Sequence, residues 1–257
     1  MRIAVRLILC LTGAALPAAA QNNFILTINS KPAGKCSYTI EKTKDGEHIK
    51  SKLSYHLSPS ATPTAQETQT SSRGRSSSAD SGLATDYQFV EDYKLDANNV
   101  YAGGFMTDMK TLANTTYTPS KDHDKLIIAQ NQNGSQSLAN PIDIKPNFVL
   151  LPDYDPSAIQ SLLLQTATHP AEKDLYLAVI PGGRQQADPV PALWLTNQPE
   201  AHGALDGKPV TLHHYILRLY KSQFDVFADD TNTLMLATST TLSAIYTREG
   251  FVLTSTK

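Results

Sequence analysis

The chain has 257 residues, with 22 Lys plus Arg against 24 Asp plus Glu, a net charge of −2, and two cysteines. A mildly acidic chain without a long basic run excludes nucleic acid as the expected partner. Two cysteines, Cys10 within an apolar N-terminal stretch and Cys36 beyond it, exclude a disulfide framework once that stretch is removed.

The first twenty residues, MRIAVRLILCLTGAALPAAA, read as a secretory signal. Arg2 and Arg6 form its positive start, Leu7 to Leu16 its short apolar run, and Ala18 to Ala20 supply small residues for cleavage before Gln21. The run is too short to span a bilayer core of about 30 Å. A lipoprotein reading through Cys10 fails, because Leu9 precedes it where a small residue is needed. Loss of Arg2 and Arg6 takes the basic count to 20 and the net charge to −4. The expectation is an exported protein, periplasmic or secreted, with no transmembrane segment after signal removal. Residues 21–257 are expected to form a single β-rich domain.

Period-two alternation dominates the chain from Gln21 onward, and it predicts strands. In FILTIN, Phe24, Leu26 and Ile28 share a face. Lys31-Pro32-Ala33-Gly34 reads as a turn. In KCSYTIE, Cys36, Tyr38 and Ile40 oppose Lys35, Ser37, Thr39 and Glu41. Lys44-Asp45-Gly46 reads as a hairpin tip. In HIKSKLSYHL, Ile49, Leu53, Tyr55 and Leu57 take the dry face. These three strands predict an antiparallel meander with one wet side. Residues 58–82 hold almost no large apolar side chain and read as a mobile Ser/Thr/Pro-rich loop. Strands resume at TDYQFVEDYKL, NNVYAGGF, TLANTTYT and DKLIIAQ, with a turn at Asn131 to Gly134. DYDPSAIQSLLLQTAT, Asp153 to Thr168, predicts the one helix. Asp155 is its N-cap, Pro156 its first residue, and Ile159, Leu162 and Leu163 its apolar stripe. DLYLAVI, ALWLTN, PVTLHHYILRLY, QFDVFADD, TLMLATST, LSAIYTR and GFVL are further strands, with Gly203 to Lys208 as a turn region. The predicted fold class is mainly β: a single strongly curved antiparallel sheet or half-open barrel with one covering helix.

No motif for nucleophilic, metal, phosphate or dinucleotide chemistry occurs, so no catalytic residue, metal ligand or cofactor is expected. Cys36 is either a reactive thiol or a small buried hydrophobe. Its neighbours Tyr38 and Ile40 favour the second. Asp122-His123-Asp124 reads as a solvated turn, since a strand would turn His123 away from the two acids. His213 and His214 point to opposite faces of their strand and cannot chelate together. Asp80-Ser81-Gly82 resembles an aspartic-protease loop but lacks the apolar strand that would deliver the Asp. Pro181-Gly182-Gly183-Arg184 reads as a β-turn with a charged tip. Arg73 and Arg75 read as solubilising charges in the 58–82 loop.

The remaining signal is the apolar face carrying Phe24, Leu26, Ile28, Tyr38, Tyr55, Tyr87, Phe89 and Tyr93. A soluble chain cannot leave so much apolar surface open to water. It is either a plain core or the lining of a cavity for an apolar ligand.

The order of these features resembles a family of uncharacterised exported bacterial β-rich proteins, a domain of unknown function. FILTINSKPAGKCSYTIEK is similar to that family's first hairpin, with Gly34, Tyr38 and Ile40 in the pattern G-x-x-x-Y-x-I. LPDYDPSAIQSLLLQ lies where those proteins place their helix. Gly207-Lys208 precedes a long strand, and FDVFADDTNTLMLATS resembles their strand–turn–strand, with Asp229 and Asp230 at the turn. Such proteins are similar in shape to the lipoprotein-carrier (LolA/LolB-like) fold. That fold is an incompletely closed sheet with helices plugging its mouth, able to hold acyl chains. The resemblance implies a non-enzymatic envelope protein binding an apolar or lipid-like ligand on its concave face. The expected lining is Phe24, Leu26, Ile28, Cys36, Tyr38, Leu53, Tyr55, Phe89 and Leu162. The alternatives are an envelope interaction module with a solid core and a protein partner, and an unrecognised hydrolase.

Overall fold

Alternating apolar and polar residues build the N-terminal half as a meander. β1 (Gln21–Ile28), β2 (Lys31–Thr43), β3 (Gly46–Leu57), β4 (Thr85–Asp96), β5 (Tyr101–Asp108), β6 (Asn114–Pro119) and β7 (Lys125–Gln132) pair in succession, all antiparallel. The short β8 (Ser135–Leu138) and β9 (Ile142–Asp143) both lie along β7. The computed structural model describes residues 21–57, 85–122, 124–138, 141–144, 149–151, 153–167, 175–178, 189–195, 198–219, 222–240 and 243–256. The signal-like segment 1–20, the 58–82 stretch with Arg73, Arg75 and Asp80-Ser81-Gly82, His123 and the Pro181–Arg184 turn lie outside the described residues.

After β10 (Val149–Leu151) comes helix α1 (Pro156–Ala167), then β11 (Leu175–Ala178), β12 (Pro189–Leu195), β13 (Ala201–Leu205), β14 (Lys208–Leu219), β15 (Ser222–Ala228), β16 (Leu234–Ser239), β17 (Ala244–Arg248) and β18 (Phe251–Thr256). β17 pairs with β1 and so joins the two halves. The sheet then runs through β16, β15, β14, β12 and β11 to β10. The β10–β11 pair is parallel, the exception among the described ladders.

The sheet is strongly curved and is not closed into a barrel. Helix α1 touches β2, β3, β4, β16 and β10. β4 and β10 are ten ladder steps apart, about 48 Å if the sheet were flat at 4.8 Å per strand. A helix about 10–12 Å wide reaches both only if the sheet rolls around it. The chain itself passes from β9 to β10, and six peptide steps hold Asp143 and Val149 within about 22 Å.

Two local differences from the sequence expectation have clear causes. The first hairpin turns at Asn29 and Ser30, both at positive φ (49° and 64°), not at Lys31 to Gly34. Asn tolerates that region well and supplies the mirror-type turn that matches strand twist. Gly34 is a strand residue facing Tyr55, where a Cβ would lie 2.5 Å from Tyr55 Cβ. Ala201–Leu205 is a strand rather than a turn, and the tight turn is Asp206-Gly207 at φ 50° and 77°. β13 and β18 pair, and β13 also pairs with β14. They cover a second, smaller core of Ala201, Leu212, Phe227, Met235, Leu236 and Phe251. On β15 the neighbours Val226 and Phe227 belong to different cores, as period two requires.

Helix α1 is more deeply enclosed than an apolar stripe implies. Ser157, Gln160, Ser161, Gln165 and Thr166 are buried along with Ile159, Leu162 and Leu163. Its polar side chains are satisfied by neighbours. Gln165 bonds both Leu150 N and Leu150 O at 3.0 Å, pinning α1 to β10. Gln160 Oε1 accepts from Tyr38 Oη (2.7 Å) and Leu234 N (2.9 Å), and its Nε2 donates to Asn232 O. The helix is therefore a plug, hydrogen-bonded on both sides.

Candidate functional site

Register places the inner-facing residues of β2, β3 and β4 in rows across the sheet. One row is Phe24, Cys36, Leu53 and Phe89. The next is Tyr38, Ser51 and Glu91, and then come Ile40, Ile49 and Tyr93. Helix α1 lies over the middle row.

A carboxylate on this dry face is unexpected, and it has company. Glu91 on β4 meets Asp153 and Asp155 from the segment that opens α1. All three are buried, and each offers an oxygen within 4.8 Å of the others. Glu91 Oε2 accepts hydrogen bonds from Ser51 Oγ (2.6 Å) and Ser157 Oγ (2.7 Å). Asp155 Oδ1 caps the helix by accepting from Ser157 N (2.6 Å) and Ala158 N (3.1 Å), and lies 2.6 Å from Ser157 Oγ, whose one proton it shares with Glu91 Oε2. Asp153 Oδ1 accepts from Tyr154 N (2.6 Å). Among the described residues, Glu91 Oε1 and Asp155 Oδ2 are buried without a hydrogen-bond partner, as is the hydroxyl of Tyr93. Among the described residues no Lys, Arg or His pairs with the three acids.

Electrostatics follow from that geometry. Burial, then the charges of Asp155 and Asp153, push the Glu91 carboxyl well above its usual range, against the two serine hydrogen bonds. Burial and Asp155 push Asp153 up as well. Burial raises the Cys36 thiol far from its reactive form, and the neighbouring acids add to the effect. Burial also raises the hydroxyls of Tyr93 and Tyr117, which feel Glu91 and Asp153.

The expected lining residues divide by position. Phe24, Cys36, Tyr38, Leu53, Phe89 and Leu162 are buried in the main core around α1. Leu26 is buried on β1, and Ile28 is half-buried at the end of that strand. Tyr55 is half-buried and stacks on Tyr87 (4.8 Å) and Phe89 (6.3 Å). Further half-buried aromatics, Tyr154, Trp194, Tyr215 and Tyr246, pack against the same core. Trp194 stacks on Tyr215 at 5.0 Å beside a pocket of about 210 Å³ at the C-terminal end of α1. A larger groove of about 690 Å³ is lined by the exposed Lys35, Lys52, Gln88 and Met109 together with Phe24, Cys36, Leu53 and Phe89 of the expected lining. The His213 and His214 rings go separate ways, to Asp230 (3.2 Å) and Asp225 (2.9 Å).

Sequence reasoning missed Ser51, Glu91, Asp153, Asp155 and Ser157 as a group. The signal was present on β4, where 87, 89, 91, 93 and 95 share a face and read Tyr, Phe, Glu, Tyr, Leu.

A rolled antiparallel sheet around one helix defines a β-barrel-like architecture. A solved structure of that type is similar: a β-barrel-like protein of domain of unknown function DUF1849 from Brucella abortus. The TM-score is 0.51 at 9% identity, over 91% of this chain and 97% of that one. At that identity the likeness is one of fold. No protein-family model and no curated protein sequence matches the chain.

Proposed function

We propose that this is an exported, non-catalytic envelope protein that binds an apolar or lipid-like ligand on the concave side of its sheet. The observation that carries the reading is the stacked ladder of Tyr55, Tyr87 and Phe89, with its two tyrosines half-buried. Helix α1 fills the middle of the concave face, so the ligand takes the β3–β4 end, where aromatic surface is still open to solvent. Aromatic rings with polar tips suit a chain whose one end is wet. The signal-like residues 1–20 support export.

Delipidated protein titrated with a fluorescent fatty acid tests the proposal. Saturable, displaceable binding at micromolar probe is expected, and Tyr87→Ala weakens it about tenfold, as truncation of an aromatic anchor does. Absence of displaceable binding in the wild type refutes it.

A further inference from the structure

Ligand binding at the aromatic end gives the acid cluster at the root of α1 no role. Three carboxylates lie within 4.8 Å of one another, each 5% exposed or less, and no basic side chain among the described residues neutralises them. Burying such charge together is costly unless a cation joins it or protons neutralise it. Glu91 Oε1 and Asp155 Oδ2 are buried and accept no hydrogen bond among the described residues. A separate side chain stands beside them. Tyr93, two residues from Glu91 on the same inner face, is fully buried, and its hydroxyl has no hydrogen-bond partner among the described residues.

We propose that Glu91, Asp153 and Asp155 bind one calcium ion that fastens the start of α1 to β4. The donor set is hard oxygen, which suits Ca²⁺ or Mg²⁺ rather than Zn²⁺. Coordination habit selects between the first two. Ca²⁺ accepts six to eight oxygens in a flexible cage at 2.3–2.6 Å, whereas Mg²⁺ demands near-ideal octahedral geometry at 2.0–2.1 Å and keeps several waters. A dry site walled by three protein carboxylates fits the ion that accepts a cage built by the protein, which is Ca²⁺. The ion joins strand and helix residues 62 to 64 positions apart in the chain, so its effect is on the docking of the plug.

The test uses the full chain stripped with chelator, then titrated with Ca²⁺, Mg²⁺ or Zn²⁺ and with Tb³⁺, whose emission nearby tyrosines excite. Ca²⁺ at a hundredfold excess over its Kd is expected to raise Tm by about 5–10 °C. One Tb³⁺ per chain should bind and be displaced by Ca²⁺. Glu91→Gln should remove both responses while keeping the β circular-dichroism signature, and Asp153→Asn serves if the first variant does not fold. No Ca²⁺-dependent Tm shift in the wild type, preference for Zn²⁺, or a response that survives both substitutions overturns the proposal.

Discussion

Replacing Gln160 by Leu probes the docking of the helix plug most sharply. The side chain is 1% exposed and makes three hydrogen bonds to the sheet. Leucine is close in size, so packing is nearly kept and the loss is polar. Tyr38 Oη and Leu234 N are buried and lose their acceptor. Each orphaned buried group costs about 1–3 kcal/mol. Asn232 O is only part-buried, and water can replace its donor. The expected loss is about 3 kcal/mol, which for a chain of this size lowers Tm by about 6–12 °C. Urea unfolding followed by tyrosine fluorescence measures it. Tyr38→Phe alone should cost about 1 kcal/mol, since Gln160 keeps Leu234 as donor. The double variant should show a coupling of about 1–2 kcal/mol. A Gln160→Leu protein within about 0.5 kcal/mol of wild type would refute the view of α1 as a hydrogen-bonded plug.

Cys36 is 1% exposed, so a thiol reagent should modify the native protein only after global or local opening, at least about a hundredfold slower than in denaturant. Gly34→Ala forces a methyl against the backbone of Ser54 and Tyr55, and should cost about 1–3 kcal/mol by thermal melting. In chelator, stability should fall as pH rises from about 4, because the raised carboxyls of Glu91 and Asp153 bind more protons folded than unfolded in that range. Glu91→Gln should flatten that slope, and an unchanged slope would remove Glu91 as its source.

The strands were legible because alternation repeats for many residues and each breach of it has a local meaning. β2, β3 and β4 follow their sequence pattern closely, and α1 begins at the Asp155-Pro156 signal. The first turn was misplaced because proline and glycine suggest turns. Asn29 took the positive φ, and Gly34 was required by a close approach across strands that no local pattern reveals. The enclosure of α1 depends on β10, ten ladder steps across the sheet from β4, and local periodicity carries no trace of it. The acid cluster unites residues from two elements 62 to 64 positions apart. Only its strand half was visible, as Glu91 in phase with Phe89 and Tyr93 on a face otherwise apolar.

The central claim is that the concave aromatic end of the sheet is where this protein works. Aromatic NMR spectra recorded during a fatty-acid titration test it directly. The account predicts shifts concentrated on the rings of Tyr55, Tyr87 and Phe89, with the second core at Phe227 and Phe251 undisturbed. Shifts confined to the second core or the outer face, or none at saturating ligand, would contradict it.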